Sequence, residues 1–323
     1  MFTDDNHDDN QYLPIDDPNM FYYEMHGRKF SFLNESYLLP VDEDEIQRSD
    51  LLHRLIKFIF NGRIYCGPVR ETLQFGDYRN VLDLGTGKGS WAVELSEEFC
   101  WVRVAGVDVV PIQFTEVPPR CRFEIWDINT YDMPYEDGHF DLIHARFVHE
   151  GIRDYPGFLR QVGRLLRPGG MVILIEPDLW QFADGKPERE FTFGSGPRAW
   201  FLIWETYRGC LSMLGIDTTV PQQFKRLLEE TDLFDNINVH EGIIPVGFNH
   251  TEPTALTVGQ LQWMAHDLLL PALKPMFVHL GILESRVDRM IQEAQRDLYS
   301  SDFELSSHLH IVWATRRSYD PLI

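Results

Sequence analysis

A short apolar run that ends in an acid and opens into three glycines most constrains the fold of this chain. Residues 81–89 read VLDLGTGKG, which sets Asp83 before Gly85, Gly87 and Gly89. Glycine tolerates left-handed backbone and lets a ligand approach the main chain closely. A phosphate-binding P-loop is excluded because Lys88 is followed by glycine instead of serine or threonine. The dinucleotide fingerprint also fails, since the third glycine comes one residue early. The loop therefore predicts a ligand site of another kind.

The chain after residue 81 alternates short apolar runs with helical stretches. The predicted strands are VLDL, VRVAGVDV, CRFEIWD, FDLIHARFV and MVILIEP, and the predicted helices are SWAVELSEEF and YPGFLRQVGRLL. This alternation is typical of a mostly parallel sheet with helices on both faces. In such a sheet the ligand lies beyond the carboxyl ends of the strands.

Two further acids stand at predicted strand ends. Asp108 closes the second strand, where its carboxylate can accept hydrogen bonds from both hydroxyls of a ribose. Asp127 closes the third strand and can accept a hydrogen bond from an adenine amino group, with Trp126 and Ile128 near the plane of the ring. The alternative for Asp108 is a purely structural role, in which its side chain caps a following turn. Together the acids favour an adenosine that carries no pyrophosphate.

The ordered segments DLGTGKG, GVD, WD, FDLIHAR and LLRPGG resemble the class I S-adenosylmethionine-dependent methyltransferases across residues 81–177. Flanking segments such as SYLLPVDEDEIQRSDLLH are similar to a fungal subgroup that contains regulators of secondary metabolism and tailoring enzymes of natural-product pathways. The resemblance implies an α/β, Rossmann-like sheet that is mostly parallel with an antiparallel last strand. It also implies S-adenosyl-L-methionine as cofactor and S-adenosyl-L-homocysteine as product. The two glycines of LRPGG suit a tight turn with positive φ.

The resemblance also implies which residues hold the cofactor. They come from the glycine loop, the ends of the second to fourth strands and the N-terminal segment: Asp83, Gly85, Thr86, Gly87, Gly89, Asp108, Val109, Trp126, Asp127, Ile128, His144, Ala145, Arg146 and Tyr37. Arg28 or Arg48 would pair with the cofactor carboxylate. An alternative for Arg146 is packing in the core beside an acid such as Glu176.

Two catalytic candidates follow the fourth strand. Methyl transfer from a sulfonium is an in-line displacement, so the protein mainly orients the reactants, and a hydroxyl acceptor also benefits from a general base. His149 is the candidate base, and Glu150 is a candidate for binding a cationic acceptor or orienting a histidine. The competing interpretations are a packed histidine and a solvated carboxylate.

After Pro177 the alternation gives way to helices, the strand INVHEGIIPV and the final strand HLHIVWATRR. A helical insertion at about residues 255–299 predicts a lid between the last two strands. Aromatic residues and a histidine of this region are the predicted acceptor-binding set: Trp180, Trp204, Tyr207, Trp263 and His266. Such a pocket suits a flat or apolar acceptor. The alternative is that these side chains only fill the core.

The organisation that we predict has four parts. Residues 1–20 form a disordered acidic tail, residues 21–80 an N-terminal cap segment with a helix, residues 81–177 the cofactor-binding core, and residues 178–323 complete the sheet and carry the lid.

Charge and cysteine usage limit the partners. The formal net charge is −21 and no basic tract is present, which argues against nucleic acid. We expect no membrane span, since no apolar run reaches about 18 residues. The four scattered cysteines lack a CxxC pair, so we expect no metal site. We expect a cytoplasmic monomer or weak homodimer.

Three functions remain open from the sequence. The first is methylation of a small-molecule natural product, at oxygen in preference to nitrogen. The second is a methyltransferase-fold regulator of secondary metabolism that acts in a protein complex, in which case it is nuclear. The third is a binding module without catalysis, which the intact acids and glycine loop disfavour.

Overall fold

The computed structural model describes residues 17–74, 78–130, 133–192, 195–300 and 302–318. Its strands are β1 (Tyr22–Met25), β2 (Arg28–Ser31), β3 (Arg79–Leu84), β4 (Val102–Asp108), β5 (Cys121–Ile125), β6 (Phe140–Arg146), β7 (Leu166–Ala183), β8 (Lys186–Pro187), β9 (Phe234–Val246) and β10 (Leu305–Arg316). Its helices are α1 (Glu43–Ile59), α2 (Val69–Gln74), α3 (Ser90–Glu98), α4 (Tyr155–Leu165), α5 (Arg198–Met213), α6 (Phe224–Glu230), α7 (Pro253–Ala272), α8 (Lys274–His279) and α9 (Glu284–Tyr299).

One large sheet organises the chain. Its strand order is β5-β4-β3-β6-β7-β10-β9, with the short β8 paired to β7. The pairs from β5 to β7 in this order are parallel, whereas β10 runs antiparallel to both β7 and β9. The predicted mostly parallel sheet with an antiparallel last strand is therefore confirmed. Parallel order brings the carboxyl ends of β3, β4 and β6 to one edge.

Each face of the sheet is covered by a separate apolar cluster. Successive residues of a strand point to opposite faces, so Val81 of β3 packs in the cluster that contains α1 and α3, whereas Leu82 packs in the cluster that contains α4 and α6. A third cluster joins α5 to α7, α8 and α9. Burial on both faces explains why the central strands read as continuous apolar runs.

The N-terminal part is more structured than its sequence indicates. β1 and β2 form an antiparallel hairpin that we did not predict, turned by His26 and Gly27 at positive φ. α1 is capped by Asp42, whose side chain accepts a hydrogen bond from the backbone N–H of Glu45. The predicted acidic tail falls mostly outside the described residues, and its last part forms a 3-10 helix, Pro18–Phe21.

Residues 109–120, between β4 and β5, are described throughout and contain no helix, and none was predicted there. The prediction for LRPGG is wrong in part. In LRPGG only Gly169 has a positive φ, and the segment belongs to β7 instead of forming a separate turn before it. An added Cβ on Gly170 would lie 2.9 Å from the carbonyl oxygen of Arg167, so close packing is the reason for that glycine.

The helices α7, α8 and α9 lie between β9 and β10 in the chain, where the lid was predicted. α7 packs against both α1 and β9, which brings it over the edge where β7 and β9 end and β10 begins. None of the helices in the described part of the chain is long and apolar enough to cross a membrane.

Candidate functional site

Two neighbouring cavities lie at the carboxyl edge of the sheet. The first encloses about 1020 Å³ of empty space, part of it open to solvent, beside the glycine loop and the end of β4. The second comprises about 640 Å³ of empty space, part of it also open to solvent, between α7, α5, the end of β7 and the start of β10. Arg48, Leu52 and Phe147 line both cavities. The two spaces are therefore separated by little more than these three side chains.

The glycine loop forms one wall of the first cavity, and its three glycines have different reasons to be glycine. All three have φ between +57° and +93°. A Cβ on Gly85 would lie 2.4 Å from Val148, and one on Gly89 would lie 2.2 Å from the ring of Phe123, so these two positions are closed by packing. A Cβ on Gly87 would meet only the hydroxyl oxygen of Ser49, at 3.6 Å. Gly87 is thus the glycine whose missing side chain leaves the cavity open.

Asp83 and His144 support this loop from beneath. The Asp83 carboxylate accepts a hydrogen bond from the Thr86 hydroxyl at 2.6 Å and lies 2.7 Å from Nδ1 of His144. The His144 ring stacks on Trp91 with a centroid distance of 3.9 Å. Burial lowers the pKa of His144, although the adjacent Asp83 opposes the shift. Both side chains are buried and contribute no surface to the cavity.

The Asp108 carboxylate faces the first cavity at the end of β4. One oxygen accepts from the backbone N–H of Gly87 and the other from that of Val109, both at 2.8 Å. A carboxylate has about four acceptor positions, so both oxygens can accept from a ligand as well. Burial raises the pKa of Asp108 to about 6, and the charge of Asp83 adds to the shift.

The remaining walls come from β5 and the N-terminal segment. Trp126, Ile128 and Tyr37 line the first cavity, and burial raises the pKa of Tyr37 far above its ordinary value. The N-terminal wall also includes three apolar residues that sequence reasoning missed, Pro40, Val41 and Ile46. They carry no motif, and only the folding of α1 against the sheet edge brings them there.

Arginines stand at the boundary of the cavities. Arg48 bonds to Glu45, with Nε 2.9 Å from a carboxylate oxygen. Arg146 lines the first cavity, and its Nη2 lies 2.7 Å from Nδ1 of His53. Nη1 of Arg146 is buried and has no hydrogen-bond partner among the described residues. Arg28 instead pairs with Asp42 and lines neither cavity.

A β-bulge shapes the second cavity. Ser307 of β10 pairs with Gln181 of β7, and Leu309 pairs with Pro177, so residues 178–180 lie opposite the single residue 308. Extra residues bend a strand and are frequent beside functional sites. Asp178 holds the bulge by accepting a hydrogen bond from the backbone N–H of Trp180 at 2.9 Å. The bulge leaves space at the strand edge that α7 covers.

The sequence of the chain matches a known protein family. A family model described as a methyltransferase domain matches residues 47–233, which is more than half of the chain. The chain belongs to this methyltransferase family. Its membership confirms the predicted enzyme class and S-adenosylmethionine as the cofactor.

Three fungal proteins show the similarity of this methyltransferase to known relatives. A secondary metabolism regulator laeA of Coprinopsis cinerea is 29% identical over 300 residues, covering 91% of this chain and 74% of the relative. Methyltransferase pytC of Aspergillus terreus is 34% identical over 158 residues, covering 48% of this chain and 46% of the relative. Secondary metabolism regulator LAE1 of Cochliobolus heterostrophus is 26% identical over 318 residues, covering 94% and 97%.

The residues of the first cavity fit the cofactor of the methyltransferase family. Open space over Gly87 admits a ligand to the loop backbone, and the Asp108 oxygens can accept from two hydroxyls. Of the predicted cofactor residues, those on the cavity wall are Gly85, Thr86, Gly87, Asp108, Val109, Trp126, Ile128, Arg146 and Tyr37. Those off the wall are Asp83, Gly89, Asp127, His144 and Ala145. The Asp127 carboxylate instead accepts hydrogen bonds from Asn34 and from the backbone N–H of Asn129.

The two predicted catalytic residues of the methyltransferase lie in different environments. His149 is fully buried, its Nδ1 lies 2.8 Å from Glu176, and it lines neither cavity. Burial would lower the pKa of His149, but the charge and hydrogen bond of Glu176 raise it. Glu150 lines the second cavity, and burial raises the pKa of its carboxyl. Of these two residues, only Glu150 lines a cavity.

Some of the predicted acceptor residues line the second cavity, and the others do not. Trp204 and His266 line the second cavity. Tyr207 is fully buried and lines neither cavity. Trp180 also lines neither, because its ring packs 3.9 Å from the guanidinium of Arg208. Trp263 lies in a separate groove and donates its Nε1–H to the carbonyl of Leu298 at 3.1 Å.

The second cavity also contains polar residues that sequence reasoning missed, Gln181, Gln262 and Ser307. Gln181 interrupts the apolar run LWQFA at the end of β7, and that interruption was a usable signal. Among the described residues, no group of three or more histidine, cysteine or acidic side chains could hold a metal.

The pH dependence of cofactor binding tests the role of Asp108. A protonated carboxyl loses one of its acceptor positions, so ribose hydroxyls favour the ionised form. Since the pKa is about 6, affinity should be constant above this pH and fall toward about tenfold per unit below it. We expect titration calorimetry with S-adenosylhomocysteine to give about tenfold weaker binding at pH 5 than at pH 7.5.

The matched variant is Asp108→Asn, which keeps the shape of the side chain and cannot ionise. Asp108→Asn should bind S-adenosylhomocysteine weakly at both pH values, and its affinity should not change between pH 7.5 and pH 5. A wild-type affinity that stays constant from pH 7.5 to pH 5 would remove Asp108 from the binding of the ribose.

Proposed function

We propose that this methyltransferase binds S-adenosylmethionine in the first cavity and methylates a small-molecule acceptor held in the second. The observation that carries the proposal is the contact between the two cavities at Arg48, Leu52 and Phe147. An in-line transfer requires the donor and acceptor to meet across a short gap from which water is excluded. The apolar side chains of Leu52 and Phe147 would exclude water where the two cavities meet.

In this proposal, different residues of the first cavity bind different parts of the cofactor. Asp108 accepts the ribose hydroxyls, and Trp126 and Ile128 flank the adenine. Arg146 lines the first cavity and Arg48 lines both cavities, and their guanidinium groups suit the carboxylate of the methionine part. When bound, the cofactor supplies the activated methyl group, so the chain itself needs to orient the acceptor and remove its proton.

Glu150 is the residue that we propose as the general base. It is the predicted catalytic residue that lines the second cavity, and its raised pKa brings it closer to the pH at which proton transfer is efficient. A base at this position favours a hydroxyl acceptor, because a neutral amine does not require one. His149, held by Glu176, is better suited to shaping the turn after β6.

A second candidate is a regulator that methylates a protein. The relatives named as secondary metabolism regulators cover 91% and 94% of this chain, and this favours the alternative. The enclosed second cavity favours a small molecule instead, because a protein side chain needs an open approach.

An assay with methyl-labelled cofactor separates the two candidates. The protein is incubated with a panel of hydroxylated and amine-bearing aromatic molecules, and separately with a fungal protein extract. Label on small molecules, read by mass spectrometry and mainly on hydroxyls, is the expected result. Label on protein alone would reject the small-molecule proposal and support the regulator. The double variant Asp108→Asn with Glu150→Gln is the negative control.

A further inference from the structure

The second cavity contains buried polar atoms without partners. Among the described residues, neither amide atom of Gln181, nor Nε1 of Trp204, nor Nδ1 of His266 has a hydrogen bond. These side chains are 0%, 4% and 4% exposed, and all three line the cavity. A buried polar group without a partner is costly, and most such groups in native proteins are satisfied. Three of them around one cavity indicate a ligand that satisfies them.

Each atom without a partner can be assigned as a hydrogen-bond donor or acceptor. Nε2 of Gln262 lies 3.1 Å from Nε2 of His266, and an amide nitrogen donates, so Nε2 of the histidine accepts. The proton of the neutral ring is then on Nδ1. Burial and the charge of Arg48 lower the pKa of His266 to about 3, so the ring is neutral. The free groups are therefore an indole N–H, an imidazole N–H and both ends of the Gln181 amide.

This set of groups selects against charged ligands. A cation brings only donors and cannot satisfy the N–H groups of Trp204 and His266. An anion would face the carboxylates of Glu150 and Asp178, which also line the cavity, whereas the guanidinium of Arg48 on this wall is already paired with Glu45. A neutral carbonyl oxygen accepts from more than one donor at once. Apolar walls from Leu55, Ile244 and Leu269 leave the remainder of the ligand apolar.

We propose that the second cavity binds a neutral acceptor that carries a carbonyl group, such as a hydroxylated aryl ketone, and that Gln181, Trp204 and His266 bind the carbonyl. The inference rests on the proposed function in taking the second cavity as the acceptor site. Gln181 sits at the β-bulge opposite Ser307, so its backbone is held by the sheet, and its amide is buried against the cavity. The acceptor hydroxyl would then be available to Glu150.

The test uses two probes that differ only in the carbonyl, acetylresorcinol and ethylresorcinol. Their binding to the full chain with S-adenosylhomocysteine is measured by titration calorimetry. We expect the wild type to bind the ketone roughly tenfold more tightly, as two neutral hydrogen bonds allow. Gln181→Leu should remove this preference and keep cofactor affinity. Because it removes unpaired atoms, it should also leave the Tm of the unliganded protein unchanged or raised.

Two further variants keep the test decisive. If Gln181→Leu does not fold, Trp204→Phe takes its place in the test. Trp204→Phe loses one hydrogen-bond donor and should reduce the preference for the ketone. Gln295→Leu, on α9 and outside both cavities, is the control and should keep it. Equal binding of the two probes, binding of neither, or a preference that survives in Gln181→Leu would overturn the inference.

The outcomes also separate this inference from the proposed function. Preferential binding of acetylresorcinol, with no methyl transferred to any small molecule, would leave the inference standing and reject the proposed function. Methyl transfer to small hydroxyl acceptors, with equal affinity for the two probes, would support the proposed function and reject the inference.

Discussion

Replacing Gly87 with asparagine is expected to abolish cofactor binding and leave the fold intact. Gly87 has φ +57°, a left-handed conformation in which asparagine is among the least strained of the other residues. Its side chain would extend into the open space of the first cavity, where an added Cβ meets only Ser49 at 3.6 Å. We expect at least about 100-fold weaker binding of S-adenosylhomocysteine by calorimetry, because filling a binding site removes most of its contacts.

The control for this prediction is Gly185→Asn. Gly185 has φ +71°, is exposed, and has nothing within 4 Å of an added Cβ, so it repeats the backbone change away from the cavities. Circular dichroism and thermal unfolding should be similar for the two variants, and Gly185→Asn should bind the cofactor normally. Normal binding by Gly87→Asn would show that the loop faces a different ligand.

Replacing Glu150 with glutamine is expected to lower kcat by roughly 10²–10⁴-fold for a hydroxyl acceptor. Glutamine keeps the size of the side chain and its contact with the second cavity but cannot take a proton. Part of the rate should return at high pH, where the acceptor hydroxyl ionises unaided. The measurement is a pH–rate profile with an acceptor found in the labelling assay.

Two comparisons make the Glu150 result specific. Glu116→Gln, at an exposed position, should leave kcat unchanged. His149→Ala should mainly lower stability, because it leaves the buried Glu176 carboxylate without its imidazole partner. A kcat that is preserved in Glu150→Gln, with a pH-dependent loss in His149→Ala instead, would restore the histidine as the base.

The central sheet was predictable because its determinants are local. Val81 and Leu82 belong to an apolar run long enough only for a buried strand, and the glycines after it break the strand at a defined point. Asp108 follows from the same rule, since an acid at the end of the second parallel strand must lie at the sheet edge. No helix was predicted between β4 and β5, and residues 109–120 contain none.

The amino-acid sequence by itself determined the succession of strands and helices in the core, the glycine loop and the acid at the end of β4, because period and turn chemistry are properties of neighbouring residues. Tertiary structure alone decided which side chains reach the cavities. Trp204 and Trp263 are both helical tryptophans, yet one lines the second cavity and the other donates to the carbonyl of Leu298. Gln181 enters the cavity through a bulge between strands more than 120 residues apart in the chain. The interruption of LWQFA marks Gln181 as unusual, but only packing between distant elements decides that its side chain lines a cavity.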